Sequence, residues 1–168
     1  MRSQPLQHQE DVRIDLIPSW GGDTREDAGL ICDLTLRVEV EPGVSVPIEL
    51  RVDTGASWTL MSLAVAQTYG LPTPDDSHDR TVLLNSATGQ REVKIRYGRI
   101  RVWWNVGRRG TPFDWPVLFV VDAPIDSQPL LGLGGVIRDC QWIFDGRAGD
   151  DALFGSATFR DIRSDSST

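Results

Sequence analysis

Val46-Pro47-Ile48-Glu49-Leu50-Arg51-Val52-Asp53-Thr54-Gly55-Ala56-Ser57 is the stretch on which the fold turns. Val46, Ile48, Leu50 and Val52 share one parity, and Ser45, Pro47, Glu49 and Arg51 share the other. This is the period-2 signature of a half-buried strand. The alternation stops at Asp53, and small residues with a glycine follow. A carboxylate at the end of a buried strand, on a turn small enough to admit another backbone, can serve as a catalytic acid or base. An Asp in that position can equally cap its own turn. Both readings stand at this level.

Immediately upstream, Glu41-Pro42-Gly43 is a turn signal, and before it Leu30, Cys32, Leu34, Leu36, Val38 and Val40 alternate with polar residues. The two segments read as a hairpin. Further back lie a polar connection, Gly21 to Asp27, a short strand pattern in Val12, Ile14 and Leu16, and a polar segment, Met1 to Glu10, expected to be weakly held. Downstream of Ser57, Ser62 is the expected N-cap of a two-turn helix over Leu63 to Tyr69, with Gly70 at its C′ position.

Beyond the helix, Leu71 to Asp76 is a Pro-rich loop. Thr81 to Leu84 and Val93 to Trp104 form the two sides of a long hairpin whose tip is Asn85 to Gln90. A parity change at Gly98 predicts a β-bulge. Val106 to Trp115 reads as a loop carrying a solvated Arg108-Arg109. Val117 to Val121 is an unbroken apolar run, as in a strand covered on both faces. Leu130-Leu131-Gly132 follows, then one or two helical turns over Leu133 to Cys140. Gln141 to Phe144 and Leu153-Phe154 are strand-like, and Arg160 to Thr168 is polar and expected to fray. Many short strands, Gly/Pro turns and very little helix define an all-β domain, closed or nearly closed.

Composition narrows the function. With 168 residues the chain suffices for one domain with a proper core. Its 17 Lys and Arg against 24 Asp and Glu give a net charge of −7, which argues against a nucleic-acid binder. No apolar run approaches the roughly 20 residues that cross a bilayer, and Met1 to Glu10 does not resemble a signal peptide. The expected setting is therefore cytoplasmic, without a membrane partner. Cys32 and Cys140 read as buried thiols. Together with His8 and His78 they are too few for a zinc site. No Gly-x-Ser-x-Gly supports a hydrolase triad around either histidine, and Gly132 to Ile137 lacks the third glycine of a dinucleotide fingerprint. Asp75-Asp76 and Asp150-Asp151 read as solvated loop acids. Adjacent Trp103 and Trp104 must point one ring to each side of their strand, which places one of them at a surface or interface.

Three features stand in a fixed order: Asp53-Thr54-Gly55-Ala56-Ser57 at a strand end, a hairpin tip at Ser86-Ala87-Thr88-Gly89, and Leu130-Leu131-Gly132 after an apolar strand. Over about Leu30 to Phe154, this order resembles the retropepsins, the single-domain aspartic proteases of retroviral type, and their bacterial relatives. The resemblance implies a closed β-barrel-like acid protease fold with one or two short helices, working as a symmetric homodimer. It divides the chain into an N-terminal extension over 1–28, with a possible strand near 11–17, a protease domain over 29–160, and a disordered tail over 161–168.

By the same resemblance Asp53, Thr54 and Gly55 are catalytic. Ala56, Ser57, Ser86, Ala87, Thr88 and Gly89 contact a peptide or protein substrate, and Leu130, Leu131 and Gly132 brace the Asp53 loop. No metal or cofactor is implied. One Asp-Thr-Gly is half of what the chemistry needs, so each of two copies would contribute Asp53 across a two-fold axis. The chain departs from the minimal viral pattern in its N-terminal extension, its C-terminal tail and the bulky Trp58. A retropepsin fold turned into a silent dimerisation or peptide-binding module is the alternative.

Overall fold

The alternation on either side of Pro42-Gly43 builds the first hairpin of the structure. The structure is a computed structural model and describes residues 6–18, 30–86, 89–104, 107–146 and 154–163. Strands β1 (Val12–Asp15), β2 (Ile17–Pro18) and β3 (Leu30–Ile31) precede that hairpin, which is formed by β4 (Asp33–Glu41) and β5 (Val44–Val52). Leu34 faces Leu50 and Leu36 faces Ile48 across it. Gly43 turns the chain with φ +83°, a left-handed conformation that glycine adopts without a Cβ penalty. Next come β6 (Leu60–Ser62), α1 (Leu63–Thr68), a 3₁₀ turn (Asp76–His78), β7 (Arg80–Ser86), β8 (Gly89–Trp103) and β9 (Phe113–Val120). Finally β10 (Leu130–Leu131), β11 (Cys140–Asp145) and β12 (Ser156–Asp161) complete the order.

Six strands close on themselves in the order β4-β5-β10-β6-β9-β8, because β8 also pairs with β4 through Val102 and Val38. The fold is thus an all-β closed barrel, and β7 projects from β8 as the outer strand of an arm. Inward-facing Leu34, Leu36, Leu50, Met61, Ile100, Val102, Phe113, Trp115, Phe119 and Leu131 fill the interior. A second sheet, β1-β12-β11, packs against the barrel end. Its Phe159 meets Trp104 and Trp142 at ring-centroid distances of 6.4 and 5.6 Å. Trp104, Phe113 and Trp115 continue the aromatic column inward at 4.6 and 4.7 Å. Such aromatic contacts each contribute about 1 kcal/mol beyond area burial.

Several expectations change. β8 runs without a bulge at Gly98, in unbroken register with β9 from Ile95–Val120 to Val102–Phe113. The parity change has another cause. A Cβ at residue 98 would lie 2.6 Å from the Phe119 ring, so glycine is there to let that ring lie against the strand. The covered face simply switches where the arm becomes barrel wall. A register shift does occur, between Glu39 and Glu41. β9 starts at Phe113, inside the expected loop, and β6 was not foreseen. Residues 133–139 form successive turns rather than a helix, interrupted at Gly135 with φ +76°. Ser62 precedes α1 as expected, yet its hydroxyl donates to the Ala123 carbonyl at 2.9 Å and caps nothing. Gly70 does take the left-handed C′ conformation, φ +72°.

Both Trp103 and Trp104 are buried. Their indoles donate to the carbonyls of Gly110 and Glu10, at 3.1 and 2.7 Å, because the 107–111 loop and the N-terminal segment cover the outer side of the strand. Arg108 is exposed, as expected, and also sits over the Trp103 ring and bonds the Gly43 carbonyl. Residues 6–10 are held rather than loose. Gln9 is buried; its side chain donates to the carbonyls of Val102 and Thr111, and accepts from Trp104 N–H. The strand near the C-terminus is β12, paired with both β1 and β11, and the expected Leu153 lies outside the described residues, while Phe154 is in a turn.

One ion pair ties residues 161–163 to the segment around Gln9. Asp161, its side chain wholly buried, accepts from Gln9 N–H at 2.8 Å and from the Arg163 guanidinium at 2.7 Å. Arg163 also reaches the Pro112 and Thr111 carbonyls and stacks 4.0 Å over Phe113. Burial opposes ionisation of Asp161, but the Arg163 and Gln9 hydrogen bonds outweigh it and hold the carboxyl below the usual range. A depressed folded-state pKa stabilises the fold above the unfolded value of about 3.9, and that contribution is lost as pH falls through the folded value. Arg163→Ala should lower stability by about 3 kcal/mol, because it strands a buried carboxylate. Urea unfolding at neutral pH measures that loss; in the wild type, repeating it between about pH 5 and pH 2 should show stability falling at the acid end, less so in Asp161→Asn.

Candidate active site

β5 delivers Asp53 to the rim of the barrel. Val52 N–H bonds the Cys32 carbonyl at 2.8 Å, and the next residue leaves the sheet. Asp53 N–H then donates to the Leu131 carbonyl at 3.0 Å, and Ala56 N–H returns to the Asp53 carbonyl at 3.1 Å. Gly55 N–H donates to Asp53 Oδ1 at 2.8 Å. The carboxylate therefore does shape its own turn, as an Asx turn does. It is also half-buried, beside exposed Thr54 and Gly55. The capping and chemical readings of Asp53 are compatible, because the hydrogen bond engages one oxygen.

The Leu130-Leu131-Gly132 segment lies directly against this loop. Leu130 and Leu131 pair in parallel with Arg51 and Val52, and Leu130 pairs with Leu60 on the other side. Leu133 N–H donates to the Ala56 carbonyl at 2.9 Å, and Gly132 N–H to the buried Thr59 hydroxyl at 3.3 Å. A Cβ on Gly132 would sit 2.3 Å from the Trp58 carbonyl oxygen, and one on Gly134 2.4 Å from that of Ser57. Two chain segments thus touch backbone to backbone, which only glycine permits.

A cavity of about 810 Å³ is lined by Asp53, Gly55, Ala56, Ser57, Trp58 and Leu60 on one side. Leu83, Leu84 and Asn85 of β7 line the other, so the arm stands over the loop. Ser86 and Gly89 pair at the arm's end, while Ala87 and Thr88 lie outside the described residues. Thr54 lines a different cavity. Sequence reading did not assign the lining residues Trp58, Leu60, Leu83, Leu84 and Asn85 to the site. Trp58, about two-fifths exposed, meets Tyr97 edge-on at 6.0 Å, and Leu83 is exposed on the arm. Exposed apolar residues at alternating positions were the available signal for Leu83 and Tyr97. The root of the arm is pinned where Arg96 bonds Asp79 and the Pro74 carbonyl.

Other candidate chemistry disperses. Asp75, Ser77 and His78 do meet, but Ser77 and Asp75 both contact the Nδ1 side of the ring, at 3.2 and 2.9 Å. A relay needs the two on opposite nitrogens. Ser77 and then His78 instead hold the exposed Asp75 carboxyl below the usual range. Cys32, between β3 and β4, and Cys140, the first residue of β11, are buried free thiols. Burial, then Asp33, raises the Cys32 thiol to about 11, and burial raises Cys140 further, so neither is a ready nucleophile. Among the described residues no group of His, Cys, Asp and Glu is arranged to hold a metal, and no helix is long and apolar enough to cross a membrane.

No family model matches this chain. No curated protein matches it either. Among solved structures, the crystal structure of a retropepsin-like aspartic protease from Rickettsia conorii is similar, with 20% identity and a TM-score of 0.48 over 89% of this chain and 98% of that one.

The backbone contact beneath the loop gives a direct test. Gly132→Ala should cost about 2 to 3 kcal/mol, because neither backbone can retreat. Gly146→Ala, where an added Cβ meets nothing within 4 Å, should stay within about 0.5 kcal/mol. Chemical denaturation of the two variants beside wild type decides it.

Proposed function

We propose that this chain is one half of an aspartic endopeptidase of retropepsin type, in which two copies of Asp53 face each other and activate a water. The observation that carries this reading is the shared cavity: the Asp53 loop and the arm strand β7 line its two sides. An extended peptide lying there would run beside β7 and could pair with its backbone by strand addition. Asp53 is presented on a turn braced from beneath by backbone contacts, as a site that must hold geometry requires.

The chemistry follows from two carboxylates brought within about 3 Å. They cannot both ionise, so they share one proton. The ionised member takes a proton from water as its oxygen attacks the scissile carbonyl carbon. The protonated member gives its proton to the developing oxyanion, and no covalent intermediate forms. When the tetrahedral intermediate collapses, the C–N bond breaks and the departing nitrogen takes the proton of one carboxyl. The other carboxylate takes a proton from a gem-diol hydroxyl as the C=O re-forms, which restores the singly protonated dyad. Titration belongs to the pair rather than to either residue. Closure of the arm would exclude bulk water during these steps. Trp58, Leu60, Leu83 and Leu130 make the cleft apolar beside Asp53, which favours peptides with large apolar side chains at the cleaved bond.

Incubating a library of unstructured peptides with wild type and with Asp53→Asn tests this. Wild type should cleave with a bell-shaped profile centred at acidic to mildly acidic pH. Asp53→Asn should fold normally by circular dichroism and lose activity by about 10⁴-fold or more. Full activity in that variant sinks the mechanism. Binding without cleavage by wild type would assign the cleft to a peptide-binding module instead.

A further inference from the structure

We infer that a second copy of this chain docks along the open edge of β11 and the apolar groove beside Thr54. The inference rests on the two-copy reading of the site and specifies where the copies meet. The groove, of about 650 Å³, is lined by Thr54, Leu133, Ile137, Trp142, Phe144 and Ile162, with Cys140 and Gln141 completing it. None of these side chains is charged. In a molecule of net charge −7, such a surface lets two identical copies approach without repulsion at the contact. Ile137 is 62% exposed, Phe144 47% and Ile162 46%, so the groove rim is a contiguous apolar patch of the kind that marks interaction sites.

The loop itself separates the two surfaces. Asp53 and Gly55 open on the arm-covered cleft, whereas Thr54 opens on the groove. A partner seated in the groove therefore meets the loop at Thr54 without occupying the cleft lined by Asp53 and Gly55. A second copy supplies what one chain lacks, another Asp53, and a self-complementary patch closes as a two-fold dimer.

The strand edges agree. In the sheet β1-β12-β11, both outer strands have a side without a strand partner among the described residues. β1 carries Arg13 and Asp15, exposed charges that discourage edge pairing. β11 runs Cys140-Gln141-Trp142-Ile143-Phe144 without charge, proline or glycine and carries its one charge, Asp145, at its last position. On its groove face Trp142 has a buried indole N–H with no acceptor among the described residues. Because β1 and β12 pair within one chain, from Val12–Phe159 to Asp15–Ser156, exchange of terminal strands would break that sheet. Antiparallel pairing of β11 with its copy joins two such sheets without breaking either.

Sedimentation of the full chain with Ile137→Lys/Phe144→Lys is the test, with Val44→Lys/Ile125→Lys, at two exposed apolar positions outside the groove, as a charge-matched control. Wild type and the control should be dimers at micromolar concentration. The double variant should dissociate with a dimer constant weakened at least about tenfold, and peptide cleavage should fall in parallel and recover at higher protein concentration. Asp53→Asn should remain dimeric. Hydrogen exchange of wild type needs no substitution, and protection of the β11 amides should rise with concentration. An unchanged dimer in the double variant, or concentration-independent exchange in β11, overturns this interface even if cleavage stands. A strictly monomeric, active wild type overturns the two-copy reading and the interface together. A dimer that the double variant disrupts but that cleaves nothing upholds the interface and removes only the catalysis.

Discussion

Two residues hold the barrel shut. Between β5 and β6 there is no direct pairing; β10, Leu130 and Leu131, is inserted between them, parallel to one and antiparallel to the other. The same insertion carries the hydrogen bond from Asp53 N–H to the Leu131 carbonyl. Closure of the fold and placement of the acid are therefore one constraint. Beyond β10 the chain passes so close beneath the loop that Gly132 and Gly134 cannot bear side chains. The Asp53 turn is consequently held from its strand, from its own carboxylate and from a separate segment of the sequence.

The second sheet extends that constraint to the Thr54 side of the loop. Trp104 and Phe159 key the sheet to the barrel end, and Gln9 and the Asp161–Arg163 pair fasten the segments around residues 9 and 161 to the same place. Thr54 thus looks onto a wall that is fixed relative to Asp53. A groove that is rigid on both sides can act as a docking surface with little ordering cost on association.

The arm is built differently. Among the described residues β7 has a strand partner on one side alone, and Leu83 and Leu84 of β7 reach the cleft without deep burial. Its root, by contrast, is anchored. Arg96 bonds Asp79 and Pro74, and holds the Asp79 carboxyl below the usual range despite desolvation. Phe119 lies against Gly98 just beyond. A firm root and a thinly covered outer strand are what an element that opens and closes over a cleft requires.

Much of this was legible because strand alternation is a local property. The β4–β5 hairpin, the position of Asp53 at a strand end, the β7–β8 arm and the buried run in β9 each rest on residues two apart, read without knowing any partner. What the sequence could not show was pairing between distant segments. β6 and β10 have three and two residues, too few to carry a period, and they are strands only because the barrel offers them neighbours. The same holds for Gln9, which looks like tail until Val102 and Trp104 need partners for their backbone groups, and for Gly98, whose parity change records the ring of Phe119 rather than a bulge. The sequence determined which residues could form strands and where the acid had to sit. Tertiary structure decided which strands meet, because closure is set by contacts that no single stretch of chain contains.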